Sequence, residues 1–381
     1  MVMHAKQRYI FIDLLRFIAV IAMLQGHTFD ALLRVSMKQT WLFVVYDFFH
    51  GFVAPAFLFA SGVAFGVSTF RKWESHLSFN GVVARRVGRF AGLTLIGYAL
   101  HLPFFSLTKI LTGSSFKEIA ALSQVDALQC IALTLLFLQA AAFILRKKER
   151  LAMLAAICAL FVMMASPYLW APHATDGIPI PLTSFLNGNY GSWFPIFPWS
   201  FYLFCGVCFA FLFLRAKEHR YDTIFMTRII WTGVALVLAG LATGEAFLHL
   251  FPVHDFWKVN PSVLWGRLGF ILIATSALYF FEQSVHITSR IPTIMGTESL
   301  VIYILHLIIL YGSVMNSGLG QTIGGTLGVG MAALVFLLML FAMSTFAYVW
   351  NVIKKRFYRE SVLLKFALAA TFLFYFITRP Y

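Results

Sequence analysis

Apolar segments long enough to cross a lipid bilayer recur from one end of this chain to the other. A transmembrane helix needs about 20 mostly apolar residues, and the chain offers such a segment about eleven times. Of its 381 residues, 60% are hydrophobic and only 12% are charged, which is too little charge to cover a soluble protein of this size. We therefore predict an all-α, polytopic transmembrane helical bundle of about 11 spans (10–12), forming a single integral-membrane domain over residues 1–381.

The basic residues are distributed unevenly between the loops that join these segments. The predicted spans are 9–31, 42–70, 90–107, 126–145, 151–170, 196–214, 229–250, 263–281, 298–315, 326–350 and 362–378. Lys and Arg collect in the even-numbered loops, and such loops face the cytoplasm. We therefore predict a cytoplasmic N-terminus and a C-terminus on the opposite side. The net charge of +14 follows from this topology, and we expect the lipid bilayer, not nucleic acid, as partner.

Ionisable residues form a stripe along the first predicted span. The stripe comprises Asp13, Arg16, His27 and Asp30. Arg16 and His27 share one helical face, because eleven residues advance a helix by about three turns plus 20°, and by about 16 Å. Charged groups in a bilayer are costly and normally face a protein interior or a watery cavity. The stripe therefore predicts one wall of an active site, with Arg16 near the cytoplasm and His27 near the exterior.

A second pair of an acid and a histidine lies near the outer end of the second span. Asp47 and His50 are three residues apart, as His27 and Asp30 are, so each carboxylate can reach its histidine. A carboxylate that accepts an imidazole N–H fixes the tautomer and raises the basicity of the ring. Both pairs are candidate general bases, and ordinary interfacial polarity is the alternative for Asp47 and His50.

Other polar residues of the outer half have simpler interpretations. His101 and His249, taken singly, are expected to be interhelical hydrogen-bonding residues. Arg267 is either part of the outer site or pairs with Glu245 as a structural bridge. The loop at 171–195 places aromatic residues beside asparagines, which suits either sugar binding or an interfacial aromatic belt.

Three arginines mark the cytoplasmic entrance of the third span. Arg85, Arg86 and Arg89 could grip phosphates through bidentate contacts, or they could serve only as topogenic charges. The sequence contains no Walker-type glycine loop, no dinucleotide fingerprint, no H-E-x-x-H helix and no G-x-S-x-G elbow. Nucleotide hydrolysis, zinc chemistry and serine-hydrolase chemistry are therefore unsupported, and no metal is expected.

An arginine near the cytoplasm and a histidine near the exterior, on one helix, suggest group transfer across the bilayer. A donor with a phosphate-bearing head would be held from inside, and its acyl thioester would reach His27. The main alternative is a transporter or flippase for a saccharide or lipid-linked intermediate, since polar residues at several depths also suit a conduit. Against it, the sequence shows no inverted repeat and no matching pair of broken helices. A catalytically inactive scaffold is a third interpretation.

Five segments, in their order and spacing, resemble a known family. They are FIDLLRFIAVIAMLQGH in the first span, PAFLFASGVAFGVS in the second, and then RRVGRF, FPWSFYLFCGV and GTESLVIYILHLIILYG. Together they resemble the bacterial heparan-alpha-glucosaminide N-acetyltransferase-like catalytic family of integral membrane acyltransferases. Acyltransferase family three, which has an Arg-x10-His first helix, is a more distant relation.

The resemblance implies transfer of an acetyl or other small acyl group from cytoplasmic acetyl-CoA, or another acyl-CoA, to an extracytoplasmic sugar or cell-envelope glycan. It also implies a multi-pass protein of the bacterial inner membrane. His27 resembles the catalytic histidine, Arg16 the donor-side arginine, and Arg86 with Arg89 the arginine pair near CoA. His306 matches a recurring histidine whose role stays open.

The sequence departs from the family pattern at two places, and one of them indicates which branch of the family it resembles. Phe17 stands where glycine is usual, and Pro198 with Trp199 replaces a Glu-containing motif of the O-acyltransferase branch. The second departure favours the glucosaminide-type branch, although the acceptor can be an amine or a hydroxyl. Within this reading Asp30 orients His27, while Asp47 and His50 complete the outer site, with His50 as the reserve base. The sequence leaves open whether the chain forms a homo-oligomer.

Overall fold

The computed structural model describes residues 8–102, 105–113, 115–285, 289–313 and 316–380, and these are predominantly helical. The helices are α1 (Ile10–Leu32), α2 (Val35–Lys38), α3 (Trp41–His50), α4 (Val53–Arg71), α5 (Gly81–His101), α6 (Leu107–Gly113), α7 (Phe116–Ser123), α8 (Ala127–Leu145), α9 (Lys148–Leu169), α10 (Ile180–Leu186), α11 (Ile196–Glu218), α12 (Asp222–Leu250), α13 (Phe256–Val259), α14 (Pro261–Ser284), α15 (Ile291–Thr297), α16 (Ser299–Tyr311), α17 (Leu319–Thr322), α18 (Val329–Arg356) and α19 (Tyr358–Thr378). A short 3-10 helix spans Trp73–His76, and strands β1 (Gly312–Ser313) and β2 (Asn316–Ser317) pair in antiparallel orientation.

The prediction of an all-α polytopic protein is confirmed. Within the described ranges, nine helical segments are long and apolar enough to cross a membrane, or ten if the bent pair α15 and α16 is one span. These segments coincide with ten of the predicted spans. The remaining one, 90–107, corresponds in part to α5, where any 18-residue stretch contains Arg85, Arg86 and Arg89. Residues 103–104 of that span, and 314–315 of the ninth, lie outside the described residues.

A sharp bend precedes helix α16, which corresponds to the ninth predicted span. Helices α15 and α16 meet at 74°, and Glu298 lies at the junction with only 4% of its surface exposed. Its carboxylate accepts hydrogen bonds from Asn351 Nδ2 at 3.0 Å and from Lys354 Nζ at 2.6 Å. A buried carboxylate needs such partners, so α18 stabilises the bend. The sequence predicted a span only from residue 298 onward and gave no sign of the bent segment before it.

The chain divides into two compact units. The first comprises Met1–Ala54 with Ala277–Arg379, and the second comprises Pro55–Ser276 with Pro380–Tyr381. In the first unit α1 contacts α3, α15, α16, α17 and α18. Its N-terminus is capped by Glu282, whose carboxylate accepts the backbone N–H groups of Ile10 at 3.1 Å and Phe11 at 2.8 Å. A carboxylate at this end also complements the helix dipole.

Glycines bring helix backbones close together in the second unit. A Cβ atom at Gly62 of α4 would lie 2.0 Å from the carbonyl oxygen of Leu203, and one at Gly206 of α11 would lie 2.2 Å from that of Phe59. No side chain fits such gaps. Small residues permit this close helix packing in membranes, where no hydrophobic effect drives helices together. The α4–α11 contact therefore depends on both glycines.

Candidate functional site

His27 contacts a second histidine from a distant part of the chain. His27 Nδ1 lies 2.8 Å from Nε2 of His306 on α16, and the two rings stack with centroids 5.0 Å apart. His306 is fully buried, and its Nδ1 lies 2.9 Å from the carbonyl oxygen of Ile302. The ring of Tyr311 meets His27 edge-on at 6.1 Å. The half-buried His27 thus contacts the buried imidazole of His306, whose orientation is fixed by its second hydrogen bond.

Asp30 lies at the exposed end of the same helix. Its side chain is 69% exposed and its Oδ1 lies 3.2 Å from Lys38 Nζ, while the same ammonium group also donates to the Asp30 carbonyl oxygen. The Tyr311 hydroxyl also interacts with this carboxylate. Among these contacts the partner of His27 Nδ1 is His306, so the orienting role expected for Asp30 stays a prediction.

His50 packs directly on the backbone of α1. A Cβ atom at Gly26 would lie 1.6 Å from His50 Nε2, so the imidazole occupies the space that a side chain would need. Tyr46 supports this arrangement, because its hydroxyl donates to Gln25 Oε1 at 3.0 Å. Asp47 is exposed, and no ion pair joins it to His50 in the described part of the chain. The predicted Asp47–His50 pair is therefore not formed, because the ring turns toward the space above Gly26.

Asp13 and Arg16, the half of the stripe that is predicted to be cytoplasmic, also face protein. Asp13 is buried and pairs with Arg8 at 2.5 Å. Helix α15 packs on this turn of α1: a Cβ atom at Gly296 would lie 2.9 Å from the Asp13 carbonyl oxygen and 3.4 Å from Arg16 Cβ. Arg16 Nε is buried and has no hydrogen-bond partner among the described residues. Arg16 therefore retains a donor for a further ligand.

Arg86 is buried and hydrogen-bonded within the protein. Its guanidinium donates to Thr69 Oγ1 and Gln139 Oε1, each at 2.9 Å, and to Ser68 Oγ at 2.7 Å. It also lies over the ring of Phe65 at 4.8 Å, and only 6% of the residue is exposed. These contacts join α4, α5 and α8. Most of its donors are used within the protein, so these contacts do not favour Arg86 as a residue that binds CoA, and that role stays an untested prediction.

Arg85 and Arg89 differ from Arg86, since both side chains are exposed. On helix α5, Arg86 faces α4 and α8, whereas Arg85 and Arg89 lie on the exposed surface of the helix. Arg89 accordingly remains a candidate for the donor, while the pair of arginines expected from the resemblance is reduced to one accessible member.

The remaining polar residues of the predicted outer half are dispersed. His101 Nε2 lies 3.5 Å from Asp126 Oδ2 but makes no hydrogen bond among the described residues, so the hydrogen bond expected for His101 is not formed. Glu245 and His249 are exposed, and no ion pair joins Glu245 to Arg267 in the ranges that the structure covers. The alternative in which Arg267 pairs with Glu245 as a structural bridge is therefore not observed among the described residues.

The loop at 171–195 contains helix α10 and is held from within by Asn187. Asn187 is fully buried, and its Nδ2 donates to the Leu169 carbonyl oxygen at 2.9 Å and to Thr175 Oγ1 at 3.1 Å. This asparagine is structural. The side chains of Asn189 and Trp193 are exposed, so they are the residues of this loop that could meet a sugar.

Three features of the site were not assigned from the sequence. They are the contact of His306 with His27, the ring of Tyr311 beside them, and the need for glycine at position 26. A glycine immediately before a histidine in an apolar helix was a usable signal, since it marks a close approach of another group. The other two features depend on a contact between segments 279 positions apart.

The fold and this site together define a polytopic helical membrane protein with a histidine pair inside its first unit. The family described as heparan-alpha-glucosaminide N-acetyltransferase, catalytic, matches residues 8–243, and the chain belongs to this family. The matched residues include Arg16 and His27 but not His306. No curated protein matches the chain. Membership of the family indicates an acetyltransferase-type enzyme.

Proposed function

We propose that the protein is a membrane-embedded acyltransferase that moves an acetyl group from cytoplasmic acetyl-CoA to a sugar of the cell envelope. The main support is that Arg16 and His27 share the face of α1 that packs against protein, about 16 Å apart along the helix axis. A donor held at the inner end can therefore present its thioester near the outer end. The family match supports acetyl transfer, and the basic loops support binding of the donor on the cytoplasmic side. The proposed location is the bacterial inner membrane.

The reaction needs one base and one thioester. A hydroxyl or amine of the sugar attacks the acetyl carbonyl carbon, a C–O or C–N bond forms, and the C–S bond to CoA breaks. His27 takes the proton from the attacking group and returns it to the leaving thiolate, which departs as the free thiol. General-base assistance of this kind contributes about 10²–10⁴ to a rate. Arg16 is the proposed contact of the donor in the first unit, where His50, Asp30 and Asp47 line the proposed acceptor side. Arg89, an exposed residue of the second unit, is a separate candidate for binding the donor.

The test is acetyl transfer by the purified protein in detergent. Labelled acetyl-CoA is supplied with glucosamine as an amine acceptor or methyl glucoside as a hydroxyl acceptor, and product and free CoA thiol are measured. The His27→Ala variant should lose transfer while its protein yield and CoA binding stay near those of the wild type. His249→Ala is the matched control, since His249 is an exposed membrane histidine; it should retain the wild-type rate.

Wild-type activity in His27→Ala would exclude His27 as the base. A transporter, the alternative that polar residues at several depths also suit, would move saccharide into proteoliposomes without releasing CoA thiol. The two readouts therefore separate the functions.

A further inference from the structure

We infer that His306 is a positioning residue, which holds His27 in the tautomer whose Nε2 carries the lone pair. The inference rests on the proposed function and deepens it, because it states which ring nitrogen of His27 acts as the base. Both residues belong to the same compact unit. His306 lies outside the part of the chain that matches the family.

The contacts of His306 with Ile302 and with His27 assign one arrangement of protons to the neutral pair. The carbonyl oxygen of Ile302 can only accept, so His306 Nδ1, at 2.9 Å, carries the hydrogen and donates to it. A neutral imidazole has one N–H, so Nε2 of His306 is an acceptor. The 2.8 Å contact is then a hydrogen bond from His27 Nδ1–H to His306 Nε2. His27 Nε2 is consequently the nitrogen with the lone pair.

The same contact suits the protonated intermediate. When His27 takes a proton on Nε2, its Nδ1–H still donates to His306, and a hydrogen bond from a charged donor is stronger than one between neutral groups. His306 is well fixed for this task, since it is fully buried and the ring of Tyr303 meets it at 5.6 Å. This role is the one that a carboxylate performs in a Ser–His–Asp triad. Asp30, in contrast, is largely exposed and pairs with Lys38.

Two substitutions distinguish positioning from packing. His306→Gln can still present an acceptor oxygen to His27, whereas His306→Leu fills the buried site with apolar atoms but offers no acceptor. We expect His306→Leu to lower kcat by about 100-fold or more, as loss of the tautomer costs a triad about 10⁴, with both KM values unchanged. His306→Gln should recover most of kcat. If His306 only fills space, the order reverses and leucine becomes the better substitute.

A spectroscopic measurement tests the inference without relying on turnover. In protein labelled with ¹⁵N-histidine, the His27 ring of the wild type should show a protonated Nδ1 and a bare Nε2 at high pH. The His306→Leu variant should show a mixture of tautomers. A wild-type His27 protonated at Nε2, or a His306→Leu variant with wild-type kcat, would overturn the inference. Should His306→Leu fail to fold, the wild-type spectrum and the His306→Gln rate still decide it.

Failure of the proposed function looks different. In that case the wild type transfers no acetyl group, whereas the spectrum still reports the His27 tautomer.

Discussion

At the scale of single residues, Gly26 decides where His50 can lie. The imidazole of His50 fills the position of a side chain at residue 26, so Gly26→Ala must displace it. We expect the variant to lower the thermal unfolding temperature and the acetyl-transfer rate, because overpacking typically costs about 1–3 kcal/mol. Gly88→Ala is the control, since a Cβ atom there meets nothing within 4 Å and alanine favours a helix interior over glycine; this variant should lower neither quantity. Equal behaviour of the two variants would contradict the close contact.

Arg86 and Arg89 should respond to substitution in opposite ways. Arg86→Ala leaves Thr69, Gln139 and Ser68 without their donor, and an unsatisfied buried polar group costs about 1–3 kcal/mol. We therefore expect a large drop in unfolding temperature, with the KM for acetyl-CoA unchanged in the protein that still folds. The measurement is a thermal melt together with donor kinetics.

Arg89→Ala should raise the KM for acetyl-CoA and leave the unfolding temperature unchanged, because the Arg89 side chain is exposed. The KM for the sugar should stay constant. A parallel rise in both KM values would argue against a donor-binding role, and a drop in unfolding temperature would instead assign Arg89 a structural one.

At the scale of elements, the 3-10 helix Trp73–His76 should make stability depend on pH. Burial, followed by the positive charges of Arg86 and Lys72, lowers the pKa of His76 to about 4. The unfolded chain binds the same proton with a pKa near 6.5, so the unfolded state holds more protons between these values. The contribution of neutral His76 to the free energy of unfolding is therefore fully present above about pH 6.5. It is lost as the pH falls toward 4.

The test of this pH dependence compares thermal melts of the wild type and His76→Gln at pH 7.5 and pH 4.5. The wild type should lose more unfolding temperature than the variant across this interval, and the difference isolates His76 from the carboxylates that titrate in both proteins. If the wild type and His76→Gln lost the same unfolding temperature between pH 7.5 and pH 4.5, His76 would not be buried in its neutral form.

The elements themselves were largely predictable, and their bends were not. Backbone groups in lipid must be hydrogen-bonded within the segment, so long apolar runs become helices. Hydropathy does not indicate the angle between consecutive helices, however. The 74° bend before α16 depends on the contacts of Glu298 with Asn351 and Lys354. A prediction from apolar runs alone cannot include partners that lie more than fifty residues away.

At the scale of the whole molecule, the candidate site was predictable only along one helix. Helical periodicity placed Arg16 and His27 on one face, and the structure gives both of them protein neighbours. The choice of His306 as the partner of His27 was not predictable, because it depends on which helices pack together. The pair expected between Asp47 and His50 is not formed for a related reason. Their three-residue spacing permits it, but the His50 imidazole packs into the space above Gly26 instead.

The direction of the chain through the membrane determines which substrate reaches which end of α1. Trp193, 69% exposed in the loop before α11, should lie outside, and Lys147, exposed between α8 and α9, should lie in the cytoplasm. A membrane-impermeant maleimide applied to right-side-out spheroplasts should therefore label Trp193→Cys and not Lys147→Cys, and lysis should expose both. The native cysteines, Cys130, Cys158, Cys205 and Cys208, set the background, which the wild type measures.

The opposite labelling pattern would have a direct chemical consequence. It would place His27 at the cytoplasmic end of α1 and Arg16 at the outer end, where no phosphate-bearing CoA is available. Acetyl transfer to a sugar outside the cell would then be impossible by the proposed route, even if His27 still proved essential. The labelling experiment therefore tests the direction of transfer independently of the identity of the base.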